Sequence, residues 1–304
     1  MTSTPLPASN AMSRPLDTVA TMIAIFICLS WGFSQVTIKL AMADVPPLTQ
    51  AAIRSIGATC CVGLWMRFRG IPFTLRDGTL APGLIAGCMF GIEFTLTYVG
   101  LVYTTASRAV LFIYLAPFFI VIGSRFLIPG DRFHPTQWLG LLLSFSGMVV
   151  AFGLPTPAAD PRQWLGDVMM VVTALFFGAR ILLIKASRLA TAPAEKTMLY
   201  QLVISALILS AGVLLAGERL TKMPGPVALG SLAFQTFWVL SISFALWIAL
   251  VTRYSASRLS AFTFLAPLCG VAAGHLVLDE PLTPPFAAAV AMVAAGLILV
   301  NRRK

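Results

Sequence analysis

Apolar residues in this chain come in long unbroken runs. They show neither the three-and-four spacing of a soluble amphipathic helix nor the alternation of a half-buried strand. A helix needs roughly 20 mostly apolar residues to cross bilayer hydrocarbon. A window of that width predicts ten spans, at 18–38, 47–66, 80–102, 106–128, 136–154, 165–186, 197–216, 227–251, 256–278 and 285–301. Proline and glycine mark the breaks, at Pro46-Pro47, Gly70 with Pro72, Pro129-Gly130, Pro155 with Pro157, Pro224 with Pro226, and Pro284-Pro285. No connection exceeds about fifteen residues, which leaves no room for a separate soluble domain. A closed β-barrel is excluded, because its strands alternate polar and apolar residues.

Composition agrees with the pattern. Of the 304 residues 58% are hydrophobic and 11% charged, and the mean hydropathy is +0.90. A soluble domain could not cover that much apolar surface. The formal net charge of +10 would point to nucleic acid in a soluble protein. Here the basic residues sit in short loops, where they set orientation in the membrane. With the N-terminus inside, fourteen Lys and Arg fall on inner segments, among them Arg14, Arg67, Arg69, Arg76, Arg253, Arg258 and the 302–304 tail. Five fall outside, at Lys39, Arg108, Arg162, Arg219 and Lys222, while Arg54 and Arg180 lie within spans. The asymmetry predicts both termini in the cytoplasm. Cys28, Cys60, Cys61, Cys88 and Cys269 all fall in apolar runs without metal-ligand spacing and read as small packing residues. The first span is too long for a cleaved signal and is expected to remain as a helix.

An internal repeat organises the chain. Ala106-Ser107-Arg108 recurs as Ala256-Ser257-Arg258, Phe112 as Phe262, and Leu115-Ala116-Pro117 as Leu265-Ala266-Pro267, seven identities in twelve ungapped positions at an offset of 150. A weaker match pairs Gly32, Ile38 and Lys39 with Gly178, Ile184 and Lys185 at an offset of 146. The expected organisation is therefore a cytoplasmic tail at 1–17, a five-helix repeat over 18–154, a second over 165–301 and a basic tail at 302–304. Five is odd, so the second repeat enters the membrane inverted, as in secondary transporters.

Ten spans in two fives, Trp31-Gly32 late in the first, and Leu-Ala-Pro in the fourth and ninth resemble the drug/metabolite transporter superfamily, EamA type, over nearly the whole chain. Within it the chain is most similar to the YddG-like exporters of aromatic and other neutral amino acids. The resemblance implies a cavity lined by spans 1, 3, 4, 6, 8 and 9. It implies a small-molecule substrate and the lipid bilayer as partners, with no nucleic acid, in a bacterial inner membrane.

Ionisable groups at membrane depth are costly and usually functional. Glu93 is the acid well inside a span, with Thr97 one turn on and Tyr98 beside it. It reads either as a cavity group that binds an ammonium or carries a proton, or as the structural partner of Arg54 or Arg180. Arg180 suits a substrate carboxylate or a helix–helix anchor, and Arg54 reads as structural. Lys39 and Lys185 read as anchors at helix ends. Gln235, Trp238 and Ser241 fall near one helical stripe of the eighth span, with Ser243 and Trp247 further on. Trp31 and Ser34 in the first span, Tyr114 in the fourth and Phe264 in the ninth complete the candidate cavity. Ser30, Ser34 and Thr37 are candidates for bonds across helices.

Pro117 and Pro267 each remove a backbone hydrogen bond and are expected to bend their spans as gates, with Ser107 and Ser257 as helix caps. His275 and Asp279-Glu280 read as interfacial. No phosphate-binding loop, metal cluster or hydrolase nucleophile motif appears, so neither cofactor, metal nor catalytic residue is expected. The function this supports is secondary export of a small metabolite. The alternatives are an organic-cation or multidrug exporter of the same fold, a membrane-embedded lipid enzyme, and a receptor.

Overall fold

The computed structural model describes residues 16–129, 133–153, 161–278 and 285–301. The expected tails at 1–15 and 302–304, Asp279-Glu280, Pro155, Pro157 and Pro284 lie outside the described residues, as does the side chain of Ser107. Every described element is helical: α1 (Thr18–Met42), α2 (Pro47–Phe68), α3 (Leu80–Tyr103), α4 (Ala106–Ile113), α5 (Ala116–Leu127), α6 (Pro135–Phe152), α7 (Gln163–Ala186), α8 (Ala194–Ala216), α9 (Pro226–Ala233), α10 (Phe244–Arg253), α11 (Ala256–Ala261), α12 (Leu265–Leu278) and α13 (Pro285–Asn301). A π-helical stretch, Phe234–Ser243, joins α9 to α10, and a 3₁₀ turn, Phe262–Phe264, joins α11 to α12.

Eight segments among the described residues are long and apolar enough to cross a membrane. The count is below the ten expected for two local reasons. α2 has 22 residues but carries Gln50, Arg54 and Ser55 on its buried face. α13 is apolar but only 17 residues long. Both pack into the bundle, α2 against α3 and α8, and α13 against α6.

The ends of these helices follow local chemistry. The Asp17 carboxylate accepts from Ala20 N–H at 2.8 Å and starts α1. Pro47, Pro135 and Pro226 open α2, α6 and α9, where the missing N–H is not needed. Gly217 ends α8 in the left-handed region at φ 66°. The caps of α4 and α11 are Thr105 and Ser255, each accepting from the Arg N–H three residues on, at 3.3 and 3.2 Å. The expected cap Ser257 instead meets Ser124 hydroxyl to hydroxyl at 2.6 Å.

Pro117 and Pro267 do more than bend their spans. The fourth span stops at Ile113 and restarts at Ala116, and the ninth passes through the 3₁₀ turn before α12. A proline ring cannot accept the turn below it, so each Leu-Ala-Pro opens a new helix.

Helix pairing repeats itself when each span of the first half is exchanged for its counterpart in the second. The first span packs on the ninth as the sixth packs on the fourth, through α1 with α12 and α7 with α5. The second packs on the eighth as the seventh packs on the third. Glycines make the first exchange close. A Cβ on Gly32 would lie 2.5 Å from Ala266 O and 2.6 Å from Cys269 Cβ. One on Gly178 would lie 3.0 Å from Phe119 Cβ and 3.5 Å from Ala116 O, the residues 150 positions earlier.

The outer surface is more apolar than a soluble protein tolerates. Met22, Phe26, Leu29 and Phe33 form an exposed stripe on α1, opposite its buried Ala20, Ala24, Ile27 and Cys28. Cys60 and Cys88 lie on exposed faces, so the packing role expected of all five cysteines fails for these two.

Loops dock through paired charges at both ends. Lys196, fully buried, donates to Thr74 O at 2.6 Å and to Asp77 Oδ2 at 2.5 Å. Lys222 pairs with Asp44 at 2.6 Å, and Gly225 N–H donates to the same carboxylate at 2.8 Å. These partners hold Asp77 and Asp44 below the usual carboxylate range, chiefly through the Lys196 and Lys222 hydrogen bonds. Such depressed groups contribute stability at neutral pH that is lost progressively as pH falls from the usual carboxylate range through the lowered value.

The α6–α13 contact is an equally tight backbone approach: a Cβ on Gly296 would lie 2.5 Å from Gly140 O. Gly296→Leu is expected to cost about 1–3 kcal/mol through overpacking. A lowered melting temperature in detergent checks this, with lipid-facing Ile298→Leu as the unaffected control.

Candidate functional site

The buried centre is built around one ion pair. Arg180 on α7 is 1% exposed and Glu93 on α3 is 8% exposed. Arg180 Nε donates to Glu93 Oε2 at 3.1 Å, Nη2 lies 3.1 Å from the same oxygen, and Nη1 donates to Gln201 Oε1 on α8 at 2.8 Å. Gln201 in turn donates to Thr197 O at 3.0 Å. The guanidinium is sandwiched by rings, its carbon 4.8 Å from the Phe90 centroid and 5.1 Å from that of Phe177. Thr97 is consumed by its own helix, donating to Glu93 O at 2.8 Å. Of the two sequence readings of Glu93, the structure has the Arg180 pair. The hydrogen bonds of Arg180 in the structure go to Glu93 and Gln201.

Aromatic rings run outward from this pair. Phe90 stacks edge-on with Phe94 at 4.9 Å and with Phe244 at 5.7 Å. Phe244 meets Trp31 at 4.9 Å, and Trp31 meets Trp247 at 5.1 Å. Trp31 Nε1 donates to Ser243 Oγ at 2.8 Å, which ties α1 to the end of the π-helical stretch. Arg54 places its guanidinium 4.7 Å from the Phe94 centroid. The result is a wall of rings between α1, α3 and α10 with a buried arginine at two points along it.

The other predicted residues are distributed unevenly. Gln235 is fully buried and neither amide atom has a hydrogen-bond partner. Trp238 instead meets Phe26, which is 58% exposed, edge to face at 5.5 Å. Ser241 donates to Thr236 O at 2.7 Å. The expected stripe of these three assumed α winding; i→i+5 winding turns each residue through a smaller angle and separates them. Ser34 is buried. Ser30 and Thr37 bond carbonyls of their own helix, Ile27 O at 2.8 Å and Ser34 O at 2.9 Å, not across helices. Tyr98 packs against the cluster of Leu48, Ala51 and Leu209, which Phe94 of the ring wall also joins. Tyr114 and Phe264, equivalent at the offset of 150, face each other at 6.0 Å. Lys185 reaches Val251 O at 3.0 Å and the Tyr254 carbonyl, so it binds the end of α10. His275 is exposed at the end of α12.

Near one end of the bundle Arg108 forms an ion pair with Asp167 on α7 at 2.5 Å, and Thr104 donates to Asp167 Oδ1 at 2.7 Å. Near the opposite helix ends, Tyr254, the counterpart of Thr104, donates its hydroxyl to Asp17 at 2.6 Å. Arg258, the counterpart of Arg108, makes no ion pair among the described residues.

Residues that sequence reading passed over are Phe90, Phe94, Phe244 and Gln201. The first two carried a signal, an i, i+4 aromatic pair flanking Glu93 on α3. Gln201, inside an apolar run, offered none beyond its polarity.

A chain whose described elements are all helical, with this lipid-facing exterior and a polar, aromatic interior, is a multi-pass membrane protein. The sequence pattern that defines the EamA-like transporter family matches it twice, over residues 18–153 and 164–302. The chain belongs to the EamA-like transporter family, and the protein is a membrane transporter. It is 25% identical to the Uncharacterized transporter YvbV of Bacillus subtilis, over 96% of this chain and 94% of that protein. It is 24% identical to a Salmonella typhimurium protein named "Probable amino-acid metabolite efflux pump", over 91% and 93% of the two chains. Its namesake in Escherichia coli is 23% identical over the same shares. A crystal structure of another protein superposes with a TM-score of 0.81, covering 93% of this chain and 97% of that one at 21% identity, which shows a common fold.

Glu93→Gln is expected to leave the Arg180 charge buried without its counter-charge and to cost about 3–5 kcal/mol. Thermal unfolding of purified protein measures this, and Glu93→Gln combined with Arg180→Met is expected to recover most of the loss.

Proposed function

We propose that this protein is a secondary transporter that exports small organic metabolites across a bacterial inner membrane by alternating access. Aromatic and other neutral amino acids are the substrates that suit it best, as in the YddG-like branch. The observation that carries the reading is the exchange symmetry of helix pairing, with Gly32 against Ala266 and Gly178 against Ala116. Two similar halves that pack reciprocally can trade conformations, and each trade moves a shared pocket from one side to the other. The double match to the family pattern supports the same division.

The proposed topology has ten spans, counting α2 and α13, as two inverted repeats with both termini cytoplasmic. Lys and Arg asymmetry supports that orientation. It places Arg108 outside and Arg258 inside. The Arg108–Asp167 pair then closes the outer end of the bundle. Arg258 is the inner equivalent, and its closure onto Asp17 belongs to the opposite state. The breaks before Pro117 and Pro267 supply the hinges. Relatives named as amino-acid metabolite efflux pumps support the substrate class. The ring wall offers aromatic faces for such side chains. The organic-cation alternative relied on Glu93, which is engaged by Arg180.

Two measurements test this. Proteoliposomes preloaded with unlabelled L-phenylalanine are expected to take up labelled L-phenylalanine by counterflow, and Asp167→Asn to slow that exchange. In intact cells an impermeant thiol reagent is expected to modify Arg108→Cys and not Arg258→Cys, in a background lacking the native cysteines. Modification of both from one side would falsify the inverted topology.

A further inference from the structure

Arg54 lies seven residues into α2, about 11 Å along it, and is 3% exposed. The other deeply buried cations among the described residues have a carboxylate: Arg180 has Glu93 and Lys196 has Asp77. Arg54 has none among the described residues; its neighbour is the Phe94 ring, and its Nε lacks any hydrogen-bond partner. Phe94 is stacked on Phe90, whose own ring carries Arg180. A compensated and an uncompensated arginine therefore flank one aromatic pair, and this centre holds one positive charge in excess.

Gln235 lies on the π-helical stretch that packs against α2. Both of its amide atoms are buried without partners. The next residue, Thr236, would meet a Cβ on Gly57 at 2.7 Å, and Gly57 is one turn along α2 from Arg54. Orphaned polar groups on two packed helices, one of them a cation, are expensive inside a membrane. Their chemistry is complementary to one class of group. A carboxylate accepts from both the guanidinium and the Gln235 NH₂, and an adjacent ammonium or hydroxyl donates to the Gln235 oxygen.

We propose that Arg54, with Gln235, is the site that binds the carboxylate of the transported solute. This rests on the transport reading and narrows it: the substrate carries a carboxylate, and organic cations lacking one are excluded by charge. Glu93 and Arg180 position the ring wall from the other side and are not ligands.

The test uses purified full-length protein and two independent readouts. Without ligand, Arg54→Gln is expected to unfold at a higher temperature than the native protein, because it removes an uncompensated buried charge. A lower unfolding temperature would make Arg54 a structural element and overturn the proposal. With L-phenylalanine as probe, the native protein is expected to be thermally stabilised, and its decarboxylated analogue phenethylamine to have no effect. Arg54→Gln is expected to weaken the L-phenylalanine effect roughly tenfold or more in concentration, with Arg54→Lys intermediate. Equal stabilisation by phenethylamine, or by chloride alone in its place, would overturn the carboxylate assignment. Counterflow separates the two levels: flux that survives Arg54→Gln unchanged sinks this site and leaves the transport reading standing, whereas absence of flux in the native protein sinks the transport reading itself.

Discussion

Inside a bilayer no water is available to complete a hydrogen bond or screen a charge, and this protein is organised by that shortage. The Arg180–Glu93 pair shows the rule at its strictest. It binds α3 to α7, extends to α8 through Gln201, and is enclosed by Phe90 and Phe177. Each nitrogen of the guanidinium has an acceptor and both faces have a ring. Three helices are thereby fixed in register by side chains that would be unremarkable on a soluble surface.

Around that fixed point the rest of the bundle is held by close contact between small residues. Lipid tails are as apolar as leucine, so helices gain little by hiding greasy side chains from them. Packing must do the work instead, and it is best where backbones approach. Gly32, Gly178, Gly140 and Gly296 sit at such crossings. Hydroxyl groups add short bonds across others, as between Ser124 and Ser257.

Much of the architecture was legible in the residues because membrane helices announce themselves by length and apolarity. The positions of α1, α3 and α7 emerge to within a few residues, and Gly32 with Gly178 already marked equivalent crossings. Legibility ended where polarity and winding departed from the average. Gln50 and Arg54 make α2 look less like a span than its neighbours, and α13 is short. The partner of Glu93 was narrowed to Arg54 or Arg180 but not chosen, since the choice depends on which helices meet in space. Gln235, Trp238 and Ser241 seemed to share a face only because α winding was assumed. Arg54, read as structural from its span, is a buried cation without an acidic partner among the described residues.

The i→i+5 stretch between Phe234 and Ser243 has a consequence for everything downstream of it. A coil wound this loosely accommodates an extra residue that a regular coil does not. Each residue of an α-helix advances the azimuth by about 100°. Rewinding the stretch by a single residue would therefore swing α10 as a rigid rotor, carrying Trp247 off Trp31 while leaving α9 where it stands. The loose winding in the middle of the eighth span thus fixes the azimuth at which Ser243 meets the Trp31 indole.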